Sequence, residues 1–411
     1  MSATFVIIGA SLAGGTAAMT LRQEGFDGGV ILVGAEPRLP YERPPLSKQY
    51  LRGESPFEKA LLRPAAFYQE HRIDTRLNTR ATRVDPVQRI IELDSGASLH
   101  YDQLLIATGV RNRRPSIPGL DLPGVFSLRS VEDADALRYH VVPGRKAVVV
   151  GMGFIGCEVA ASLRQCGVEV VTVDPSPAPL HRVLGREVGQ VLGAVHADHG
   201  VDTIFEDVVA RFEGGVRVGR VITRGGRRIE CDFAVVGVGV EPLTDFTAGS
   251  GIDADDGILV DDRCRTSVAG IYAAGDVANH YHPLFRRRMR VEHWQNAMQQ
   301  GAAAARNMLG KDRPYDAIHW FWSDQYDQNL QYAGFHREWD QIVIRGRLDE
   351  RTFLAFYLNH GRVDAVAGLN RGKDIRRAMP LINSRAIVDP RQLGDEGVDL
   401  RTLVEARATE N

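Results

Sequence analysis

Two copies of one strand–turn–helix pattern, followed by a C-terminal stretch of different character, predict an α/β chain. It would hold two Rossmann-like dinucleotide-binding domains plus a small C-terminal α/β domain. The fuller copy runs from Ala147 to Asp174. An apolar run, Ala147–Val150, meets Gly151-Met-Gly153-Phe-Ile155-Gly156, a helical segment follows, and a second apolar run, Val168–Val173, ends on Asp174. This is G-x-G-x-x-G between two strands, with an acid 23 residues after the first glycine. Gly151 permits the tight turn, Gly153 lets a pyrophosphate approach the backbone, and Gly156 lets helix and strand pack closely. The helix N-terminus then faces the phosphates, and Asp174 accepts hydrogen bonds from an adenosine ribose. The other copy opens the chain. Thr4–Ile8 is apolar, Gly9-Ala-Ser11-Leu-Ala13-Gly14 follows with Ser11 in place of the middle glycine, and Val30–Val33 leads to Glu36. Two dinucleotide folds in one chain imply two cofactors, one exchanging hydride with the other.

Composition sets the outer bounds. At 411 residues the chain has room for two to three domains. Hydrophobic content of 44% and charged content of 25% are ordinary for a globular protein. No run approaches the roughly 18 apolar residues of a transmembrane helix. The chain opens on a strand with no basic n-region or cleavage site, so a cytoplasmic protein is expected. A net charge of −2 supplies no global field for nucleic acid. Lys48, Lys59, Lys146, Lys311 and Lys373 are the only lysines among 50 cationic residues, so an isolated Arg carries little information. Cys157, Cys166, Cys231 and Cys264 form no C-x-x-C and no metal-ligand spacing, so no paired-cysteine redox centre is visible.

The remaining elements follow in chain order. Pro37 to Lys48 carries four prolines in nine residues, which gives a stiff, cofactor-lining loop with Ser47 as a helix N-cap. Val84–Leu93 and Ser98–Tyr101 read as a hairpin turning at Ser95-Gly96. Leu104-Leu-Ile-Ala-Thr-Gly109 is a buried strand ending in a glycine turn, and Arg111–Gly119 is a crossover linker. Beyond the second copy come Val201–Phe205, a hairpin region over Val208–Ile229, and Phe233–Val238. The run to Gly239 echoes that to Gly109, each closing its own nucleotide fold, and Glu241-Pro242 is the return linker. Gly270–Val277 is a short strand ending on Gly275-Asp276, where Asp276 is placed for a ribityl chain. A helix then follows Trp294 to about Leu309. From Tyr315 aromatics crowd, and Leu330–Gly334, Gln341–Arg345, Phe353–Leu358 and Arg362–Gly368 read as short strands. For Trp320 and Trp322, core packing and electron transfer both stand open.

Several strings together carry a family resemblance. Tyr41-Glu-Arg43-Pro-Pro-Leu-Ser-Lys48, Leu104 to Gly109, Gly275-Asp276 and Trp320-Phe-Trp-Ser-Asp-Gln325, with both βαβ units, resemble the ferredoxin reductases of bacterial oxygenase systems. That group includes the putidaredoxin, rubredoxin and aromatic-ring dioxygenase reductases. Its wider architecture is that of glutathione reductase without the disulfide.

The resemblance implies an FAD-binding domain over 1–110 and 242–315, an NAD-binding domain over 111–241, and a C-terminal domain over 316–411 that covers the flavin. It places FAD against Gly9, Ala13, Gly14, Glu36, Arg43, Lys48, Ala81, Arg129, Asp276 and Trp294. NADH would use Gly151, Gly153, Ile155, Gly156, Asp174 and Gly239. Lys48 and Glu158, unlike charges from two cofactor domains, would form the catalytic pair that positions the nicotinamide. Glu292-His293 before Trp294 departs from the Glu-Ser common in the group. The activity implied is NADH:ferredoxin oxidoreduction, with a two-iron ferredoxin as acceptor and an oxygenase downstream. An NADH oxidase or another flavin reductase without a redox disulfide is the alternative. For an acidic ferredoxin, the expected docking charges are Arg286, Arg287, Arg288 and Arg290, with Arg371, Lys373, Arg376 and Arg377.

Overall fold

The computed structural model describes residues 3–405, and their contacts divide the chain into two units. The first runs up to Glu42 and includes Phe57–Arg111 and Val240–His319. The second holds Arg43–Pro56, Asn112–Gly239 and the chain from Trp320 on. Residues 43–56, expected with the first nucleotide fold, thus group with the second. The C-terminal residues share that unit too.

The first unit is built on a five-stranded parallel sheet. Its spatial order is Ile271–Ala273, Gln103–Ile106, Thr4–Ile8, Gly29–Val33 and Ile73–Arg76. These strands are apolar on successive residues because both faces are covered. Phe5, Ile7, Leu32 and Leu105 pack with Leu12, Ala17 and Leu21 of the helix Leu12–Gln23 and with Ala304 and Ala305 of the helix Trp294–Met308. Val6, Ile8, Leu104 and Ile106 turn the other way, onto Val84, Ile91 and Leu99.

Those last three belong to a three-stranded antiparallel sheet, Ala81–Asp85, Ile90–Leu93 and Ser98–His100. The run from Val84 to Leu93 is therefore two strands rather than one. The Asp85 carboxylate accepts from the Val87 and Gln88 N–H groups, both at 3.0 Å, and makes the extra turn. A further hairpin, Ala278–His282 with Arg287–Arg290, was not apparent in the sequence, where Pro283 and a run of arginines mask the strand pattern.

The second unit contains the matching sheet, in the order Val201–Phe205, Glu169–Asp174, Lys146–Val150, Phe233–Val236 and Val125–Phe126, again all parallel. The two sheets differ in where the closing edge strand comes from. In the second sheet it precedes the glycine turn in sequence. In the first it arrives only at residue 271.

The C-terminal part of this unit is a five-stranded antiparallel sheet. Its order is Trp320–Gln325, Gln328–Gly334, Arg362–Leu369, Thr352–Asn359 and Gln341–Arg347. Thr352–Asn359 and Arg362–Leu369 are buried on both faces. The helix Gly372–Ser384 buries Ile375, Ala378, Leu381 and Ile382. Leu184, Val188 and Leu192 of the helix His181–Asp198 share a core with Phe353, Ala355 and Tyr357. That shared core is why C-terminal and nucleotide-fold residues form one unit. Among the described residues no helix is long and apolar enough to cross a membrane.

Candidate functional site

The glycine turn of the first unit is packed without slack. Gly9 has φ of 117°, and a Cβ there would stand 2.0 Å from the Ala107 carbonyl oxygen. A Cβ on Gly14 would stand 1.9 Å from the Gly9 oxygen. Gly301 approaches Ala13 so closely that a Cβ would lie 2.4 Å from its carbonyl oxygen. Only small residues let the two helices meet here. The same contact brings the Gly275-Asp276 turn beside Ala13, with the Gly275 N–H donating to Gln300 Oε1 at 2.8 Å.

Past the second strand, Glu36 accepts from the Tyr41 hydroxyl at 2.5 Å. Its backbone oxygen receives the Asn78 N–H, which leads the chain toward the buried Ala81. Trp294 is the first residue of its helix. Burial pushes the Glu42 carboxyl up, and a hydrogen bond with the Trp294 indole pulls it back in part.

The second turn repeats this with more room. Gly151 has φ of 95° and donates its N–H to the Val173 oxygen at 2.8 Å, while a Cβ on Gly156 would meet the Gly151 oxygen at 1.9 Å. A Cβ on Gly153 would meet nothing within 4 Å, so this backbone is open to a ligand. Asp174 is buried at the strand end and accepts from the Met152 N–H at 2.6 Å and the Ser176 N–H at 2.7 Å. These bonds fix the carboxylate at the glycine turn. Ile155, in the first helical turn, is 46% exposed. Gly239, with φ of 99°, accepts from the Arg113 N–H.

Both turns lead into helices that fit a pyrophosphate. Neither Leu12–Gln23 nor Phe154–Gln165 has a side-chain cap or an acid in its first turn. By contrast, Val131–Arg138 carries a full capping box from Ser130 and Asp133. Uncapped N–H groups with the positive end of the helix dipole form an anion site, which suits a dinucleotide.

In the second unit the expected pair is formed. Lys48 Nζ donates to Glu158 Oε2 at 2.6 Å, with the two side chains 8% and 5% exposed. Lys48 also reaches the Pro44 oxygen at 3.2 Å. The sequence did not reveal what else holds the carboxylate. Ser47 Oγ donates to Oε2 at 2.5 Å and Ser323 Oγ to Oε1 at 2.7 Å.

Ser47 is thus no N-cap: it ends the 3-10 turn Pro44–Ser47, its hydroxyl points at Glu158, and its oxygen receives Ser162 Oγ at 2.7 Å. Behind Ser323, Gln325 donates to its hydroxyl and meets His196 Nε2 at 3.0 Å. Burial pushes His196 down to about 4, with the Gln325 bond pulling the other way. Nearby, Arg43 donates to the Arg129 oxygen at 2.6 Å.

Strand alternation explains which residues of Trp320–Gln325 reach the pair. Phe321, Ser323 and Gln325 are buried on the inner face. Trp320 and Trp322 share the other face, half-buried and stacked at 5.5 Å between ring centroids, so they are not core residues. Several of the expected docking charges are also engaged within the chain. Arg290 is held by Asp256 and Glu292, and Arg371 by Asp374 and Glu396. Lys373, Arg376 and Arg377 are exposed, Arg377 with an ion pair to Asp374 at 3.1 Å.

Two parallel sheets, each with a glycine turn feeding an uncapped helix, define a two-nucleotide oxidoreductase. The chain belongs to the pyridine nucleotide-disulphide oxidoreductase family, whose model matches residues 3–301, and a reductase C-terminal model matches residues 320–404. It is 40% identical to the ferredoxin--NAD(+) reductase component of the anthranilate 1,2-dioxygenase system of Burkholderia cepacia, over 97% of this chain and 99% of that one. It is 36% identical to rhodocoxin reductase of Rhodococcus erythropolis, over 98% and 94%. Among solved structures it is similar to the covalent putidaredoxin reductase–putidaredoxin complex, with a TM-score of 0.95, 33% identity and 98% coverage of both chains. The disulphide of the family's name has no counterpart here, since all four cysteines are free.

Proposed function

We infer that the chain is an FAD-dependent NADH:ferredoxin oxidoreductase that supplies electrons to an iron–sulfur ferredoxin and, through it, to an oxygenase. The observation that carries this reading is the end-to-end likeness to reductase components of oxygenase systems. When bound, FAD takes hydride from NADH and gives electrons up singly, as a one-electron carrier requires.

The chain's own residues bind and orient. In the first unit, Gly9, Ala13 and Gly14 admit the pyrophosphate of FAD, and Glu36 takes its ribose. Ala81, Asp276 and Trp294 line the rest of that site. In the second unit, Gly151, Gly153, Ile155, Gly156 and Gly239 hold NADH by its pyrophosphate and nicotinamide half, and Asp174 holds the adenosine ribose. Glu158, locked by Lys48, Ser47 and Ser323, orients the nicotinamide. The assigned domains are 1–110 with 242–315 for FAD, 111–241 for NADH, and 316–411 as the C-terminal domain.

No thiol competes for the electrons. Burial raises all four cysteines, Cys231 up to about 12, so none is a thiolate at neutral pH. The NADH supply makes the cytoplasm the location in this reading.

The test is direct. The purified chain should be yellow with about one FAD per chain, and NADH consumption should rise steeply on adding a two-iron ferredoxin. NADH oxidation that yields peroxide at a rate indifferent to ferredoxin would overturn the acceptor and favour an oxidase.

A further inference from the structure

Three imidazoles meet in the first unit. His280 and His282 are two apart on the strand Ala278–His282 and so share a face. His319 comes from the segment that follows the helix Trp294–Met308. All three are at most 1% exposed. The His319 ring lies 5.3 Å from that of His280 and 5.1 Å from that of His282, centroid to centroid. One nitrogen from each ring lies within 4.8 Å of the other two.

Their hydrogen bonding is as unusual as their burial. Neither ring nitrogen of His319 has a partner, and the His280 ring meets the Met289 backbone alone. His282 Nε2 donates to the Ala317 oxygen at 3.1 Å, which fixes its tautomer and leaves an unpartnered lone pair on Nδ1. A carbonyl-bound ring nitrogen opposite an open one is the outer-shell arrangement of a metal-binding histidine. Polar atoms left buried without partners are costly, and a bound ion would satisfy them.

We propose that His280, His282 and His319 bind a late first-row transition-metal ion, Zn²⁺ or Cu⁺. An all-imidazole set excludes Mg²⁺ and Ca²⁺, which take oxygen ligands. Nitrogens bound at about 2.0–2.1 Å around a tetrahedral ion stand roughly 3.4 Å apart, so the rings need draw in by less than about 1 Å each. Three neutral ligands bring no compensating charge. This favours Cu⁺, whose burial costs less than that of a divalent ion, unless Zn²⁺ retains a hydroxide as its fourth ligand. The ion would tie the hairpin Ala278–His282 and Arg287–Arg290 to the segment ending at His319, closing a loop as a crosslink does.

The experiment uses the full-length, FAD-loaded chain with any affinity tag removed. It is stripped with a chelator, incubated with zinc chloride or with Cu⁺ under ascorbate, gel-filtered and assayed by plasma mass spectrometry. X-ray absorption is then recorded on the retained metal. The expected result is about one ion per chain, with imidazole nitrogens at about 2.0 Å. Retention should fall at least tenfold in His319→Phe and in His282→Asn, and should be unchanged in His196→Gln. Zinc retained alone assigns Zn²⁺, and copper retained alone assigns Cu⁺. A wild-type chain that retains neither ion overturns the proposal. So does a retained ion bound by oxygen or sulfur, or one indifferent to both substitutions. Should the two variants fail to fold, the wild-type count and absorption spectrum decide alone.

Discussion

Replacing Glu158 with Gln keeps the volume of the side chain and removes its charge. The Lys48 ammonium, 8% exposed, is then left with neutral acceptors only, the Pro44 oxygen and the new amide oxygen. Removing one partner of a buried pair costs about 3–5 kcal/mol, because the other charge stays buried. At about 2–4 °C per kcal/mol for a body of this size, melting should fall by roughly 6–20 °C. The reverse deletion is milder. In Lys48→Met the carboxylate keeps two hydroxyl donors, at 2.5 and 2.7 Å, so about 1–3 kcal/mol is expected. The double variant should recover part of the loss, with a coupling of about 1–3 kcal/mol. Circular dichroism melts of the three variants measure this, and stopped-flow reduction of bound FAD by NADH measures the orienting role, which should slow in both single variants. A Glu158→Gln melt within about 2 °C of wild type, or additivity within about 0.5 kcal/mol, would refute the buried-pair argument.

Further outcomes are expected. With Asp174 at the adenosine ribose as proposed, its carboxylate would repel a 2′-phosphate, so kcat/KM should favour NADH over NADPH at least tenfold, about 1.4 kcal/mol, and equal use of both would mean that exposed Arg182 rescues the phosphate. Gly301→Ala drives a methyl to 2.4 Å from the Ala13 oxygen, so about 1–3 kcal/mol of stability and part of the FAD content should be lost, read by the flavin-to-protein absorbance ratio. His196 is held neutral in the fold at about 4, against 6.5 as its ordinary value. Its contribution is therefore present above pH 6.5 and lost as pH falls toward 4, by up to about 3 kcal/mol, and His196→Gln should flatten that limb of a plot of Tm against pH. Ferredoxin-dependent turnover should fall with ionic strength, since exposed charges are screened within about 8–10 Å, while reduction of FAD by NADH stays level. Arg376→Glu with Arg377→Glu should raise KM for ferredoxin about 3- to 10-fold, and an unchanged KM would move docking elsewhere.

What the sequence made legible was local. Gly151 to Asp174 holds turn, helix and acid within one strand–helix–strand unit: Gly151 takes the positive φ of a tight turn, Gly156 packs against it, and Asp174 ends the second strand. The Lys48–Glu158 pair lies 110 residues apart in sequence and was found through family strings rather than through periodicity. Ser323, 165 residues from Glu158, stood inside the string Trp-Phe-Trp-Ser-Asp-Gln, but only strand alternation shows that it, and not a Trp, turns inward. Ser47 misled for the opposite reason: Pro-Pro before a serine looks like a helix start, and the nearby carboxylate claimed the hydroxyl instead. The histidine cluster went unread because its signal, His-x-His on one strand, means nothing until His319 is brought beside it.

The late arrival of Ile271–Ala273 has a consequence for biosynthesis. A ribosome releases the strand Gln103–Ile106 about 165 residues before the partner that covers its open edge. At roughly 5–20 residues per second, that interval lasts about 8–33 s. All five strands of the second nucleotide sheet, Val125 to Val236, emerge within it and can pair among themselves. Of the two nucleotide sheets, the one that is started first is therefore completed second. During the wait its bare apolar edge is the nascent chain's exposed point for strand-to-strand aggregation, and the natural place for a chaperone to act.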